Sequence, residues 1–193
     1  LARTQAADYE QRREAILDKA ARLFARRGFD GSSVADLADA CSTSKSLIYH
    51  YYPSKEDILY AVMSSHIDQL VSDVDGVLAK GGDAAAQLDA LIHAFMDHYV
   101  GAADRQKVLL NELDSLPAEQ RATIVARQRK VIDATQALLV ALDPALADDP
   151  AQARAKTMLL FGMINWTHTW YDPEGPIPPA RIADMALKMI HAS

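Results

Sequence analysis

The 193-residue chain has one cysteine, Cys41, so it can form no internal disulfide. A lone thiol on an apolar helical stripe suits a small buried hydrophobe in a reducing, cytoplasmic setting. Glycine and proline number only eight each, against abundant Ala and Leu, which favours an all-α fold. No apolar run approaches the roughly 18 residues of a membrane span, and no charged-then-apolar leader opens the chain. The first residue is Leu1 rather than Met, as a trimmed N-terminus would leave it. GxSxG, HExxH, P-loop and CxxC motifs are all missing, and no acid–base pair stands at a persuasive spacing. His93 and His98 are five residues apart, not the four that bring two imidazoles to one metal. Gly81-Gly82-Asp83 has no strand before it and no GK[ST] after it, so it reads as a loop and not a phosphate cradle. His168, beside Thr167 and Trp170, reads as a hydrogen-bonded core or pocket histidine rather than a base. An enzyme, a metal site and a bound cofactor are all disfavoured.

What is present is concentrated in Ser32 to Lys55. Val34, Leu37, Ala38 and Cys41 repeat at i, i+3, i+4 and i+7, the stripe of one short helix, with Ser32 and Ser33 as N-cap candidates. Ser42-Thr43-Ser44 breaks the pattern. Leu47, Ile48 and Tyr51 mark a second apolar face, and Pro53 ends it. Two short helices about a tight turn make a helix-turn-helix, whose second helix is sized for the DNA major groove. Its solvent side carries Ser44, Lys45, Ser46, Tyr49 and His50, all able to donate to phosphate oxygens or base edges. No carboxylate stands between Ala40 and Lys55, where phosphate would repel one. A solvated face without a partner fits the spacing about equally well. The net charge of −6 is unevenly divided. Residues 1–55 hold nine Lys/Arg against seven Asp/Glu, and residues 56–193 hold eleven against nineteen. The modest basic excess lies where phosphate neutralisation requires it, so binding should be salt-sensitive with little non-specific affinity.

The run Gly28 to Val62, GFDGSSVADLADACSTSKSLIYHYYPSKEDILYAV, resembles the DNA-binding domain of the TetR family of bacterial transcriptional regulators. The matching features are the Gly-aromatic after the first helix, the paired hydroxyls opening the second, and the block SKSLIYHYYPSKEDIL. In that family the second helix of the motif reads the operator, while its Tyr-His pair and the Lys after Pro-Ser touch phosphates. The resemblance implies those roles for Tyr49, His50 and Lys55; Ser33, Ser44, Lys45 and Ser46 complete the DNA-binding candidates. At the turn the family commonly has Gly and a small apolar residue, where this chain has Ser42 and Thr43. A serine with φ > 0 is mildly unfavourable.

Around this motif, residues 1–7 read as a disordered arm with Arg3 free to reach phosphate or groove. A first helix is expected from about Asp8 to Arg27, burying Ile16, Ala20, Leu23 and Phe24, with Gly28 as its stop. Phe29 should plug a core where Leu23, Phe24, Leu37 and Leu47 meet. Residues 1–55 are thus the expected three-helix DNA-binding domain. Residues 56–193 are the expected helical ligand-binding and dimerisation domain, for about nine helices in all. Ser54, with Asp57 in a short capping box, starts a helix of about 25 residues, nearly 40 Å at 1.5 Å per residue. Further helices follow over residues 84–100, 103–115 and 117–142. The last is basic at its start, with Arg121, Arg127, Arg129 and Lys130 forming either a solvated face or a site for an anionic ligand.

The helix expected over residues 151–171 contains MLLFGMINW, Met158 to Trp166, seven of nine apolar, so it must be covered on every side. The helix over 180–192 carries a stripe of Ile182, Met185, Met189 and Ile190. These two helices are the expected homodimer interface, a four-helix bundle across a two-fold axis, the symmetry a palindromic operator demands. Phe95, Met96, Tyr99, Leu109, Leu113, Val131, Met158, Trp166 and Trp170, with Asn165 beside them, describe either an apolar-ligand pocket or a packed core. The segment Phe161 to Met185, FGMINWTHTWYDPEGPIPPARIADM, resembles the C-terminal end of regulators that respond to acyl-CoA thioesters, including fatty-acyl-CoA and phenylacetyl-CoA repressors. That resemblance implies an acyl chain near Trp166 and a CoA portion near basic groups such as Arg127, Arg129 or Lys130. The expected function is a dimeric, effector-released transcriptional repressor on double-stranded DNA. The alternatives are a regulator of another hydrophobic molecule (a drug or efflux substrate), a helical enzyme, or an interaction module.

Overall fold

A computed structural model describes residues 2–191, with side chains from residue 7 onward. The described residues form helices joined by short connections, without strands: α1 (Ala2–Arg27), α2 (Val34–Ala40), α3 (Lys45–Tyr51), α4 (Lys55–Lys80), α5 (Ala84–Gly101), α6 (Ala103–Asn111), α7 (Ala118–Leu142), α8 (Pro150–Asn165), α9 (Thr167–Trp170) and α10 (Pro179–His191). With the single turn α9 counted as a broken continuation of α8, the nine expected helices are all present among the described residues. Single 3₁₀ turns at Leu113–Ser115 and Pro144–Ala147 join α6 to α7 and α7 to α8.

The boundaries follow local chemistry. Gly28, at φ +75°, ends α1 as expected, its N–H donating to the Phe24 carbonyl at 2.9 Å. Ser54 accepts from the Asp57 amide at 3.0 Å, the first half of the capping box expected before α4, while the Asp57 carboxylate accepts from the Ser54 hydroxyl at 2.7 Å. Asp83 caps α5 by accepting from the Ala86 amide at 2.8 Å. Two boundaries differ from expectation. α1 already begins at Ala2, so residues 2–7 are helical backbone rather than an arm; the Arg3 side chain lies outside the described residues. The helix expected to run unbroken to Tyr171 stops at Asn165. There the Thr167 hydroxyl donates to the Ile164 carbonyl at 2.6 Å, and His168 Nδ1 lies 2.7 Å from the Asn165 carbonyl, each claiming a carbonyl of the last turn.

The chain packs as two compact units, Leu1–His66 with Asp104–Ile124 and Ile67–Ala103 with Val125–Ser193. The division expected at residue 55 follows chain order, whereas the packing draws α6 and the start of α7 into the first unit. The reason is polar. Arg105 donates to Ser65 Oγ at 2.6 Å, Glu14 at 2.9 Å and Asp18 at 2.8 Å. Beside it, His66 Nε2 and Gln106 Oε1 form a buried pair at 2.7 Å. In the core of this unit Phe24 and Phe29 meet edge to face at 5.5 Å, with Ile16, Ala20, Leu37, Ile48, Ile58 and Leu59 buried around them. Leu23 and Leu47, expected at the centre, are half-buried, and Ile48 takes the interior place.

In the second unit, α10 packs on α5 and α8. Leu88, Leu91, Ile92, Phe95 and Met96 are buried from α5, Leu160, Phe161 and Ile164 from α8, and Ile182, Ala183, Ala186, Leu187 and Ile190 from α10. The helix expected to be apolar nearly all round, α8, and the striped helix α10 therefore each have one covered side. Met185 and Met189, expected within the α10 stripe, face outward.

Candidate nucleic-acid interface

The helix-turn-helix is held by its caps. Ser33 Oγ accepts from the Asp36 amide at 3.1 Å and donates to the Asp36 carboxylate, which in turn accepts from the Ser33 amide at 2.8 Å. These bonds hold the Asp36 carboxyl below its usual pKa, the Ser33 hydroxyl contributing most. Ser44 caps α3 by accepting from the Leu47 amide at 3.2 Å. Between the two helices Ser42 stands at φ +51°, in the left-handed region where glycine is at ease. The Ser42 and Thr43 amides donate to the Asp39 and Ala38 carbonyls at 3.0 and 2.9 Å, which closes α2.

α3 is fixed by one wholly buried side chain, Ile48, with Leu47 and Tyr51 half-buried on either side. The opposite edge exposes Lys45, Ser46, Tyr49 (48% accessible) and His50, with Ser44 exposed at its start. Five of the seven DNA-binding candidates therefore share one exposed edge, rich in donors and free of carboxylates. Of these, Ser44 also accepts from the Leu47 amide as the cap of α3, and the other two candidates are committed locally. Ser33 is spent in its capping box. Lys55 is half-buried, its ammonium 3.9 Å from the centroid of the Phe29 ring, a cation–π contact that fixes where the charge sits.

Aromatic contacts steady this edge. Tyr9 of α1 lies 4.8 Å from the Tyr51 ring and 6.4 Å, edge-on, from His50, a role the sequence reading passed over because Tyr9 and Tyr51 are 42 positions apart. Tyr52 is buried and donates to the Arg13 carbonyl at 3.4 Å, while the Arg13 guanidinium lies over its ring. Burial raises the Tyr52 hydroxyl to about 12 despite Arg13, so it remains a neutral anchor behind α3.

The effector-site candidates are not brought to one cavity wall. Phe95, Met96, Tyr99 and Val131 are packed in the core of the second unit, with Phe95 stacked on Tyr99 at 6.3 Å and tilted against Phe161 at 6.1 Å. Asn165 is half-buried, and Leu113, half-buried, belongs to the first unit, as does buried Leu109. Met158, Trp166 and Trp170 are exposed. The basic start of α7 is partly neutralised by carboxylates of α4. Arg127 lies 3.1 Å from Asp68, and Lys130 pairs with Asp75 at 2.8 Å. Among the described residues no group of three or more His, Cys, Asp or Glu is placed to hold a metal ion, and no helix is long and apolar enough to cross a membrane.

A capped helix-turn-helix with a donor-rich outer edge, carried on an all-α chain, defines a DNA-binding regulator. The model of the tetR family of bacterial regulatory proteins matches residues 16–62, and the model of the tetracyclin repressor-like C-terminal domain matches residues 81–193. The chain belongs to the TetR family. As a member it is a transcriptional regulator rather than an enzyme, and members of this family bind operator DNA as dimers. The chain is 25% identical to the HTH-type transcriptional repressor KstR2 of Rhodococcus jostii RHA1, covering 93% of this chain and 89% of that protein. Its fold matches a TetR-family regulator from Bordetella parapertussis 12822 with a TM-score of 0.89 at 36% identity, over 92% of this chain and 93% of that one. It also matches AibR, solved in complex with isovaleryl coenzyme A and operator DNA, with a TM-score of 0.80 at 28% identity over 92% and 97%.

Proposed function

We propose that this chain acts in the cytoplasm as a homodimeric repressor of a palindromic operator and is released by an acyl-CoA thioester. The single observation that carries the DNA half is the edge of α3, where Ser44, Lys45, Ser46, Tyr49 and His50 stand exposed together. Lys45 and the hydroxyls meet base edges and phosphates there, while Tyr49 and His50 position the helix on the backbone. Ser33 and Lys55 serve this interface by holding α2 and the start of α4 in place. Lys55 is also among the positions that the family resemblance directs to phosphate.

The dimer forms through α8 and α10. Met158 and Leu159 (67% accessible) on α8, Trp166 (64%) at its C-terminal cap, and Met185 and Met189 on α10 are exposed, an apolar load that a second copy would cover. Gly162 lies on the same exposed side, and a Cβ placed there would meet no atom within 4 Å, so a partner helix can come close.

The effector assignment rests on the resemblance of Phe161 to Met185 to acyl-CoA-responsive regulators and on the likeness to AibR, whose complex holds isovaleryl coenzyme A. In this reading the acyl chain lodges among Phe95, Met96, Tyr99 and Val131 of the second unit, with Arg127 toward the CoA phosphates. Because those core side chains are packed, entry requires them to part. A ligand that prefers the parted state shifts the population away from the operator-competent one. A second reading, a neutral apolar effector, is favoured by the pairing of Arg127 and Lys130 with Asp68 and Asp75, which leaves less free positive charge for phosphates. Fluorescence anisotropy of the operator complex separates the two. Isovaleryl-CoA and longer acyl-CoAs should release the DNA while free CoA does not, and unchanged operator affinity at saturating acyl-CoA would reject the thioester class.

A further inference from the structure

Beyond the operator edge and the effector core, the first unit contains a groove of about 420 Å³ between α1 and the turn of the helix-turn-helix. Its volume falls in the range of small-molecule sites, roughly 300–1,000 Å³. The floor is apolar, built from Ile16 and Leu47, and Ser42 and Thr43 supply hydroxyls at the turn. Arg12 and Lys19 stand along one wall, seven residues and so about 10 Å apart on α1. No carboxylate lines the groove.

The charge arrangement is directional. Three of the four carboxylates on α1 are engaged elsewhere, with Glu10 paired to Arg13, and Glu14 and Asp18 both paired to Arg105. Arg12 and Lys19 enter no ion pair among the described residues, and both are exposed. The groove thus joins two uncompensated cations to an apolar floor, the complement of a compact organic anion. Burial raises the Cys41 thiol, which also lines the groove, and Lys19 opposes that shift only in part. The thiol therefore adds no negative charge at neutral pH. From this geometry we propose that the groove binds a small amphipathic anion, its acid group held by Arg12 and Lys19 and its apolar body against Ile16 and Leu47. Because Leu47 belongs to α3, occupancy bears directly on the recognition helix and weakens operator binding. This is a second effector site, independent of the acyl-CoA reading.

The probe is 2-naphthalenesulfonate, with neutral naphthalene-2-sulfonamide as its isostere. Titrated into the 193-residue chain and followed by amide chemical shifts, the sulfonate should give saturable changes at residues 12–19, 40–43 and 47–51. The sulfonamide should bind at least tenfold more weakly there. Arg12→Gln/Lys19→Gln, with an otherwise unchanged amide spectrum, should weaken the sulfonate at least tenfold. Saturating sulfonate should also raise the operator dissociation constant of the parent protein several-fold. Equal binding of sulfonate and sulfonamide, shifts confined to the exposed tryptophans, or an operator affinity indifferent to bound sulfonate would overturn the proposal. So would a double variant that loses operator affinity and salt dependence while the parent shows no binding of the sulfonate, since Arg12 and Lys19 would then be contacts to DNA phosphates.

Discussion

Arg105 Nη2 donates to Asp18 Oδ1 across 2.8 Å, joining α6 to α1 although 87 residues separate them. The guanidinium is largely buried and donates to Glu14 and Ser65 as well, so one side chain ties three helices of the first unit. Burial opposes its charge, yet Glu14 and Asp18 more than offset this and raise its pKa above the ordinary arginine value. Arg105→Met should destabilise the protein by about 1–3 kcal/mol in urea unfolding, because it strips a charge-assisted network and leaves polar partners behind. Asp18→Asn, at a mostly exposed carboxylate, should cost less than about 1 kcal/mol.

This link marks the limit of what the sequence discloses. The helices, the capping serines and the outward edge of α3 are legible because each depends on residues within a turn or two of one another. That α6 packs with α1 is not legible, since Glu14, Asp18, Ser65 and Arg105 become neighbours only in the folded chain. The stop at Asn165 was hidden for a different reason. An apolar run argues for continuing the helix, and the hydrogen bonds of Thr167 and His168 that end it are short-range competitors that apolar periodicity does not register. The aromatic and methionine residues of the second unit show the same ambiguity, because composition describes a packed core and a pocket alike. Phe95 and Met96 proved interior while Trp166 and Trp170 proved exposed.

Ser42 offers a direct test of the turn. At φ +51° it occupies a region that costs a residue with a Cβ about 1 kcal/mol or more. Ser42→Gly should therefore stabilise the protein by up to about 1 kcal/mol, less the entropy glycine loses on folding. Ser42→Val should destabilise it, because β-branched residues tolerate this region worst. Thermal denaturation of the two variants should shift in opposite directions.

His93 predicts a pH dependence of the second unit. Its Nδ1 lies 2.9 Å from the Asp89 carbonyl and its Nε2 lies 3.1 Å from Asp184 Oδ1, so both nitrogens face acceptors and the protonated ring fits best. Burial disfavours the charge, but the Asp89 carbonyl and the two carboxylates outweigh it and raise the pKa above 6.5. A raised folded-state pKa means that the stabilisation is complete below about 6.5 and is lost as pH climbs through the raised value. His93→Gln should flatten that part of the stability–pH curve, measured by urea midpoints between pH 5.5 and 8.5.

The proposed dimer face makes its own prediction. Leu159→Glu would set two carboxylates against each other across the two-fold axis, costing the assembly about 2–4 kcal/mol, roughly 30- to 1,000-fold in dimer dissociation. Sedimentation velocity should show the variant shifted to monomer with its helical signal intact. A variant that stays dimeric at the parent's concentration range would place the interface elsewhere.

The most direct test of the central reading is operator anisotropy of Lys45→Ala/Tyr49→Ala across a salt series. Both side chains are exposed on α3 and neither is buried in the core, so the variant should fold like its parent. The account predicts at least a 100-fold loss of affinity and a shallower salt slope, smaller by about 2 for two protomers each losing one cation. Unchanged affinity and slope would contradict the assignment of α3 as the element that reads DNA.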